Sequence, residues 1–203
     1  MSQKRDELLR VIGSAESNNN PNIMVGGKKV PLTDMTVGEV LKYQKGLKGN
    51  TAAGQWQIKH DSLMSLVHIP TDVIYEKDAD GNVKEPKKVK EIKYAKDSDG
   101  NLKLRNPTDF NLDTKFDATA QKWAANALLD RRGFKDYEDG LVDDATMATS
   151  LSKEWASLPD PSKGTNTSFY SGDGTHDRDT KVSVQNMYDL LNLQVARPSR
   201  PTS

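Results

Sequence analysis

One short pattern is written twice in the middle of this chain: Tyr75-Glu76-Lys77-Asp78-Ala79-Asp80-Gly81-Asn82-Val83-Lys84, and then Tyr94-Ala95-Lys96-Asp97-Ser98-Asp99-Gly100-Asn101-Leu102-Lys103. Each copy has Asp-Gly-Asn at its centre between residues that tolerate extended backbone, which is the chemistry of a hairpin turn. Charged residues crowd the whole stretch 71–113. It reads as two β-hairpins, or one longer antiparallel ribbon, inserted into whatever the flanking segments build. The Asp-x-Asp-Gly order also touches on a calcium loop, but the third acidic position and the terminal Glu of that ligand ladder are missing. Turn chemistry accounts for the pattern.

On both sides of the insertion, apolar residues recur at helical spacing. Leu8, Leu9, Ile12 and Ala15 share one face, and the segment Ser17-Asn18-Asn19-Asn20-Pro21-Asn22 stops that helix. Residues 23–31, with Gly26-Gly27, suit a small hairpin or loop. Thr36-Val37-Gly38-Glu39 has capping-box form; Val40, Leu41, Gln44 and Leu47 follow, and Gly49 closes the helix. A short helix is expected from about His60 to Val67. Beyond the insertion, Asp117 opens a helix with Ala120, Trp123, Ala124, Ala127 and Leu128 on one face, ended by Arg131-Arg132-Gly133. Residues 134–141 read as a connecting turn. Asp143 caps a helix carrying Met147, Ala148, Leu151 and Trp155, which Pro159 and Pro161 forbid to continue. A last helix runs from Ser183 through Val184, Met187, Leu190 and Leu191. The sum is a single α+β domain over residues 1–195, mainly helical with a small β-lobe and the 71–113 insertion. Residues 196–203 form a disordered tail.

A chain of 203 residues fits one domain. Apolar residues make up 34% of it, and its mean hydropathy is −0.76, so the core is modest and the surface wet. Positive and negative side chains balance at 29 each, which leaves no whole-molecule basic field for nucleic acid. With no cysteine, disulfides and thiolate metal sites are excluded. No run approaches membrane-spanning length, and the first residues contain no apolar core of a signal peptide. A target outside the cytoplasm would be reached by some other export route.

The chemistry begins at Glu16, a carboxylate half in a helical core and half at the mouth of a polar loop, where burial raises a glutamate's pKa for proton donation. A glycosidase uses such an acid beside the leaving oxygen, usually with a second carboxylate across the sugar. No acidic residue stands between Glu16 and Asp34, and Asp34 reads as part of the approach to a helix. A mechanism with one acid/base residue is therefore preferred. Gly54-Gln55-Trp56-Gln57 offers bare backbone, a ring for stacking and amide donors, as carbohydrate sites do. A turn with Trp56 in the core fits the same residues equally well. Trp155, at helical spacing, is expected in the core. Ser168-Phe169-Tyr170-Ser171-Gly172-Asp173-Gly174 is a glycine-punctuated loop carrying a tyrosine. His60, His68 and His176 are scattered and make no zinc site, and His176-Asp177 comes without a nucleophile motif.

Taken in order, these segments resemble the phage lysozyme-like family typified by the phage lambda endolysin, a lytic transglycosylase related to phage muramidases. Leu9-x-x-Ile12-Gly13-x-Ala15-Glu16-Ser17 is similar to that family's first helix and its catalytic glutamate. The run Leu32-Thr33-Asp34-Met35-Thr36-Val37-Gly38-Glu39-Val40 is similar to a muramidase segment, and Thr51-Ala52-Ala53-Gly54-Gln55-Trp56-Gln57 to the family's Gly-Arg-Tyr-Gln motif. Leu128-Leu129-Asp130-Arg131-Arg132-Gly133, Glu154-Trp155-Ala156-Ser157-Leu158-Pro159 and the 168–174 loop complete the match. Two features depart from the pattern: Gln55-Trp56 replaces Arg-Tyr, and the inserted ribbon is larger than the family core needs. The T4-type lysozyme pattern does not fit, because Val25 and Pro31 occupy the positions of its downstream Asp and Thr.

The resemblance implies a lysozyme-like fold with a cleft between the Glu16 helix end, segment 54–57 and the 168–172 loop. It implies cleavage of the β-1,4 bond between N-acetylmuramic acid and N-acetylglucosamine, with Glu16 as the catalytic residue. Gln57 would hydrogen-bond the sugar, Tyr170 would line the site, and Gly54, Trp56 and Ser168 would complete the substrate-binding set. No metal or organic cofactor is implied. The partner is the peptidoglycan strand, with no membrane or nucleic acid. Made in the host cytoplasm, such an enzyme reaches the wall after holin release or as part of a virion. A hydrolytic muramidase of the same fold is the alternative chemistry. The alternative of another class is a mainly structural phage component, with the 71–113 insertion contacting tail or virion proteins.

Overall fold

A computed structural model describes residues 3–83, 89–106, 108–164, 166–171 and 180–192. Among them are seven α-helices and two small antiparallel sheets, an α+β arrangement. The expected tail, 196–203, lies outside the described residues. Helix α1 (Gln3–Ser17) is followed by the paired strands β1 (Ile23–Met24) and β2 (Lys28–Lys29). Helices α2 (Val37–Lys45) and α3 (His60–Val67) lead to the second pair, β3 (Pro70–Tyr75) and β4 (Val89–Tyr94). Four helices complete the chain: α4 (Ala118–Arg131), α5 (Phe134–Glu138), α6 (Asp144–Ser152) and α7 (Val184–Leu191). No described helix is long and apolar enough to cross a membrane.

The helix starts follow from local chemistry. Thr36 Oγ1 accepts from the Glu39 amide at 3.2 Å, and the Glu39 carboxylate accepts from the Thr36 amide at 2.7 Å, so two otherwise unpaired amides are satisfied together. Asp117, Asp143 and Ser183 likewise cap α4, α6 and α7 through their side chains. Each such cap contributes about 1 kcal/mol. The ends are less local. Helix α2 stops at Gly46, three residues before the expected Gly49, because the Gly46 amide turns back onto the Lys42 and Tyr43 carbonyls. Helix α6 stops at Ser152, yet Trp155 beyond it is buried as expected. The stretch 134–141 contains a five-residue helix, α5, rather than only a turn; Gly133 enters it at φ +86°, and Phe134 and Tyr137 are buried.

Helix α4 buries Ala120, Ala124 and Leu128 of the expected stripe but not Trp123. Ala120, Gln121, Ala124, Ala125, Leu128 and Leu129 face inward, while Trp123 is 37% exposed. Trp123 instead stacks on the buried Phe110, with ring centroids 4.4 Å apart and planes 16° apart. The alanines let α4 approach the core closely, and Trp123 roofs it from the side.

Of the two arrangements expected of the repeated pattern, the strands form the single antiparallel ribbon, with a tight turn in each copy. Strands β3 and β4 pair as one ribbon, with Val73 opposite Ile92 and Ile74 opposite Glu91. A tight turn closes each copy, bridged Lys77 to Val83 and Lys96 to Leu102. Asp78 Oδ1 accepts from the amides of Asp80 and Asn82, and Asp97 Oδ1 accepts from those of Asp99 and Asn101. Gly81 and Gly100 take φ of +85° and +83° in matching places. At its root the ribbon is stitched by Ala95 N to Ile69 O and Lys103 N to Ala95 O, and His68 meets Tyr94 edge-on. Beyond the ribbon, Arg105 N donates to Val67 O, and Phe110 and Phe116 are both buried.

Candidate active site

Helix α1 ends in a sharp reversal at its polar segment. Asn18 and Asn19 adopt φ of 55° and 57°, a conformation that asparagine tolerates better than most residues, and their amides cap the Ser14 and Gly13 carbonyls. Ser17 Oγ donates to the Gln55 carbonyl at 2.7 Å, which ties the helix end to segment 54–57. Glu16 is left half-buried. One carboxylate oxygen accepts from Ser157 Oγ at 2.6 Å and from the Ser157 amide at 3.2 Å. Burial pushes the Glu16 carboxyl above its ordinary range; the Ser157 hydrogen bonds, Lys181 and Lys59 pull it back without cancelling that effect. The helix C-terminus adds a local field that also disfavours the anion. The result is a carboxyl that holds its proton longer than a solvated glutamate, yet has donors and cations ready to receive the anion.

Segment 54–57 is a tight turn closed by pairing of Ala53 with Ile58. Gly54 takes φ +77°, and a Cβ there would lie 2.4 Å from Gln121 Oε1. Gln121, fully buried on α4, accepts from the Gln55 amide at 2.8 Å and donates to the Pro21 and Phe116 carbonyls. Trp56 points into the core: it is 4% exposed, and its indole donates to the Leu9 carbonyl of α1 at 2.8 Å. Of the two readings that the sequence left open, the core reading is the one found, and Trp56 offers no face for stacking. Gln57 sits at φ +46° and folds its amide onto the Gly54 and Ile23 carbonyls, at 2.9 and 3.3 Å. The amide brought against the last turn of α1 is Gln55, whose side chain packs on Gly13 and donates to Asn19 Oδ1 at 3.1 Å.

The third expected wall falls on the 166–171 segment. Ser168 is 1% exposed, and its Oγ accepts from the Tyr170 amide at 3.2 Å, so it supports the loop from beneath. Tyr170 packs edge-on against Phe169 and donates its hydroxyl to the Lys153 carbonyl at 2.6 Å. Lys59 Nζ lies 5.2 Å from the centre of the Tyr170 ring and also bears on Glu16, linking this wall to the carboxyl. Gly172, Asp173 and Gly174 lie outside the described residues, as do His176 and Asp177.

Ser157, Lys59, Lys181 and Gln121 were not singled out in the sequence. For Ser157 a signal was present, because it stands between Trp155 and Leu158, two anchors that the core buries at 2% and 0%. Trp155 Nε1 also donates to the Trp56 carbonyl at 3.1 Å, so this run is pinned to segment 54–57. Glu154, three residues before Ser157, is a contrasting carboxylate. Arg131 and Arg132 each reach it at 2.8 Å, and Ser62 Oγ donates at 3.0 Å. Burial pushes its pKa up, but the two guanidinium groups and Ser62 outweigh that and hold it below the ordinary range. Among the described residues, no group of three or more His, Cys, Asp or Glu stands ready to hold a metal ion.

Comparison of the chain with protein-family models, with curated proteins and with solved structures finds no match.

Proposed function

We propose that this protein is a peptidoglycan-degrading enzyme of lysozyme-like fold, a lytic transglycosylase that cleaves the β-1,4 bond between N-acetylmuramic acid and N-acetylglucosamine. The observation that carries this reading is the state of Glu16: half-buried at a helix end, raised in pKa, and hydrogen-bonded through one oxygen to Ser157. In the first step Glu16 gives its proton to the glycosidic oxygen as the C1–O bond breaks. The carboxylate so formed is the species that Ser157, Lys59 and Lys181 favour. It then takes the proton from the muramic 6-hydroxyl, whose oxygen closes onto C1 to give the 1,6-anhydro sugar. One group thus acts as acid and then as base, and Glu16 is regenerated protonated. Both charges acting on it through space, Lys59 and Lys181, are cationic, which suits a mechanism without a partner carboxylate.

Lys59 bears on this carboxyl, with Gln55 beside the last turn of α1 and Tyr170 beside Lys59 as further groups for sugar hydroxyls and C–H faces, while Gly54 and Ser168 hold their segments in place. The protein would act on the wall of a phage host, released by a holin or carried in a virion. The test is digestion of purified peptidoglycan followed by mass spectrometry of the muropeptides. Anhydro ends support the transglycosylase and reducing ends a muramidase. Cleavage that persists in Glu16→Gln would remove Glu16 from the mechanism.

A further inference from the structure

The ribbon of β3 and β4 joins the helical body through a narrow root. Its strands pack chiefly on each other, and three short lengths of chain, 67–69, 94–95 and 103–105, meet where it leaves the body. Backbone hydrogen bonds close this junction: Ile69 N to Lys103 O at 3.2 Å, Ala95 N to Ile69 O at 2.9 Å, and Lys103 N to Ala95 O and Arg105 N to Val67 O at 2.8 Å. His68 stands among them. It caps the end of α3, bridges to Leu104 and is 4% exposed. Its ring lies edge-on to Tyr94, with centroids 5.9 Å apart. Nδ1 is buried without a hydrogen-bond partner, and the ring's polar contact is with the Lys103 backbone. The neutral ring therefore carries its hydrogen on Nε2 and a bare lone pair on Nδ1.

The groups around this ring are committed elsewhere. From β4 comes the Tyr94 phenol, pushed up to about 12 chiefly by burial and so uncharged near neutrality. From α3, Asp61 Oδ1 lies 3.0 Å from His60 Nδ1; Asp61 also bears on Tyr94, where Arg131 of α4 opposes it. Arg131 is itself held by Glu154 and Ser65. From the third length of chain, the Arg105 guanidinium donates to the Ser65 carbonyl at 3.2 Å, and Lys103 meets the ring through its backbone. Burial holds the His68 imidazole below the usual histidine range, and the Lys103 backbone offsets this only in part. We infer that His68 is a pH-sensitive latch for the ribbon: neutral, it lets the root close; protonated, it loosens the root from the helical body. A proton on Nδ1 puts a charge and an unpaired N–H into a site withdrawn from water. With the folded value lowered, the contribution of the latch is fully present above 6.5 and is lost as pH falls from there through the folded value. The inference concerns the ribbon and holds whether or not the protein cleaves peptidoglycan.

Two measurements on the full chain test the inference. In the first, amide hydrogen exchange is followed by NMR between about pH 7.5 and about pH 5, with the intrinsic pH dependence of exchange divided out. The root amides of Ile69, Ala95, Lys103 and Arg105 should lose protection on acidification, while amides inside α4 keep theirs. His68→Phe keeps a ring against Tyr94 and cannot be protonated, so its root should stay protected throughout. His60→Gln is the control for the neighbouring histidine and should lose protection as the native protein does. Equal protection at both ends of the range in the native protein overturns the inference, as does a pH dependence that survives in His68→Phe or disappears in His60→Gln. The second measurement needs no variant: the His68 ring is titrated by its own carbon and nitrogen shifts. A neutral ring with its hydrogen on Nε2 near neutrality, protonating only as the root amides lose protection, supports the latch. A ring that is already protonated near neutrality while the root stays closed sinks it.

Discussion

Glu16 and Glu154 are the same residue type, and the short run 154–157 contains one and hydrogen-bonds the other. Their environments drive them in opposite directions. Glu154 meets two guanidinium groups within 2.8 Å and stays ionised; Glu16 meets one serine and two more distant lysines, and burial prevails. The difference teaches how a chain separates a structural carboxylate from a chemical one. A paired charge ties α3, α4 and the 154 segment together, whereas an under-compensated one is kept ready to exchange a proton.

The largest effect expected on breaking this contrast is catalytic. On the proposed mechanism Glu16→Gln removes both the acid and the base, and peptidoglycan cleavage should fall by about 10³-fold or more. Melting at neutral pH should be unchanged or slightly higher, because a buried carboxylate is gone. A turbidity assay beside a thermal melt checks both halves. Next comes Glu154→Gln, which leaves two arginines without their partner. A loss of about 3 kcal/mol is expected, near the low end for a broken buried pair because the arginines are partly exposed. That corresponds to roughly 10 °C in a chain of this size, and an unchanged melting temperature would show that the cluster contributes little.

A smaller effect is expected from Ser157→Ala. It removes the hydroxyl donor that stabilises the Glu16 anion, so the Glu16 pKa should rise further. The basic limb of the pH–rate profile should move up, and a shift downward would contradict the assignment. The smallest effect is the pH dependence of stability, where the two glutamates carry opposite signs. A raised folded pKa makes the Glu16 contribution fully present below 4.5 and lost as pH rises through the folded value; a lowered one makes that of Glu154 present above 4.5 and lost as pH falls. Melting curves across pH should therefore decline less as pH rises above 4.5 in Glu16→Gln and decline less as pH falls below 4.5 in Glu154→Gln.

Much of the frame was legible in the residues. Thr36, Asp117, Asp143 and Ser183 announce their helices because a cap is made within three residues of itself. The doubled Asp-Gly-Asn turn is legible for the same reason, since Asp78 and Asp97 bond only to amides two and four residues on. Less of the candidate site was readable. Trp56 and Gln57 carry the right chemistry for a sugar, but the core takes the first and the turn's own carbonyls take the amide of the second. Burial of Phe110 was not readable either, because it stands in a stretch that is polar in composition.

The sequence by itself determined where helices begin, where the ribbon turns, and that an acidic group would stand at the end of α1. Those features depend on contacts a few residues apart, whose energies are set by side-chain chemistry alone. Only the tertiary structure decided that Ser157 would meet Glu16 across 141 positions, and that Arg131 and Arg132 would converge on Glu154 and not on Glu16. A carboxyl's charge depends on burial and on partners brought from elsewhere in the chain, and both exist only once the core has closed around it.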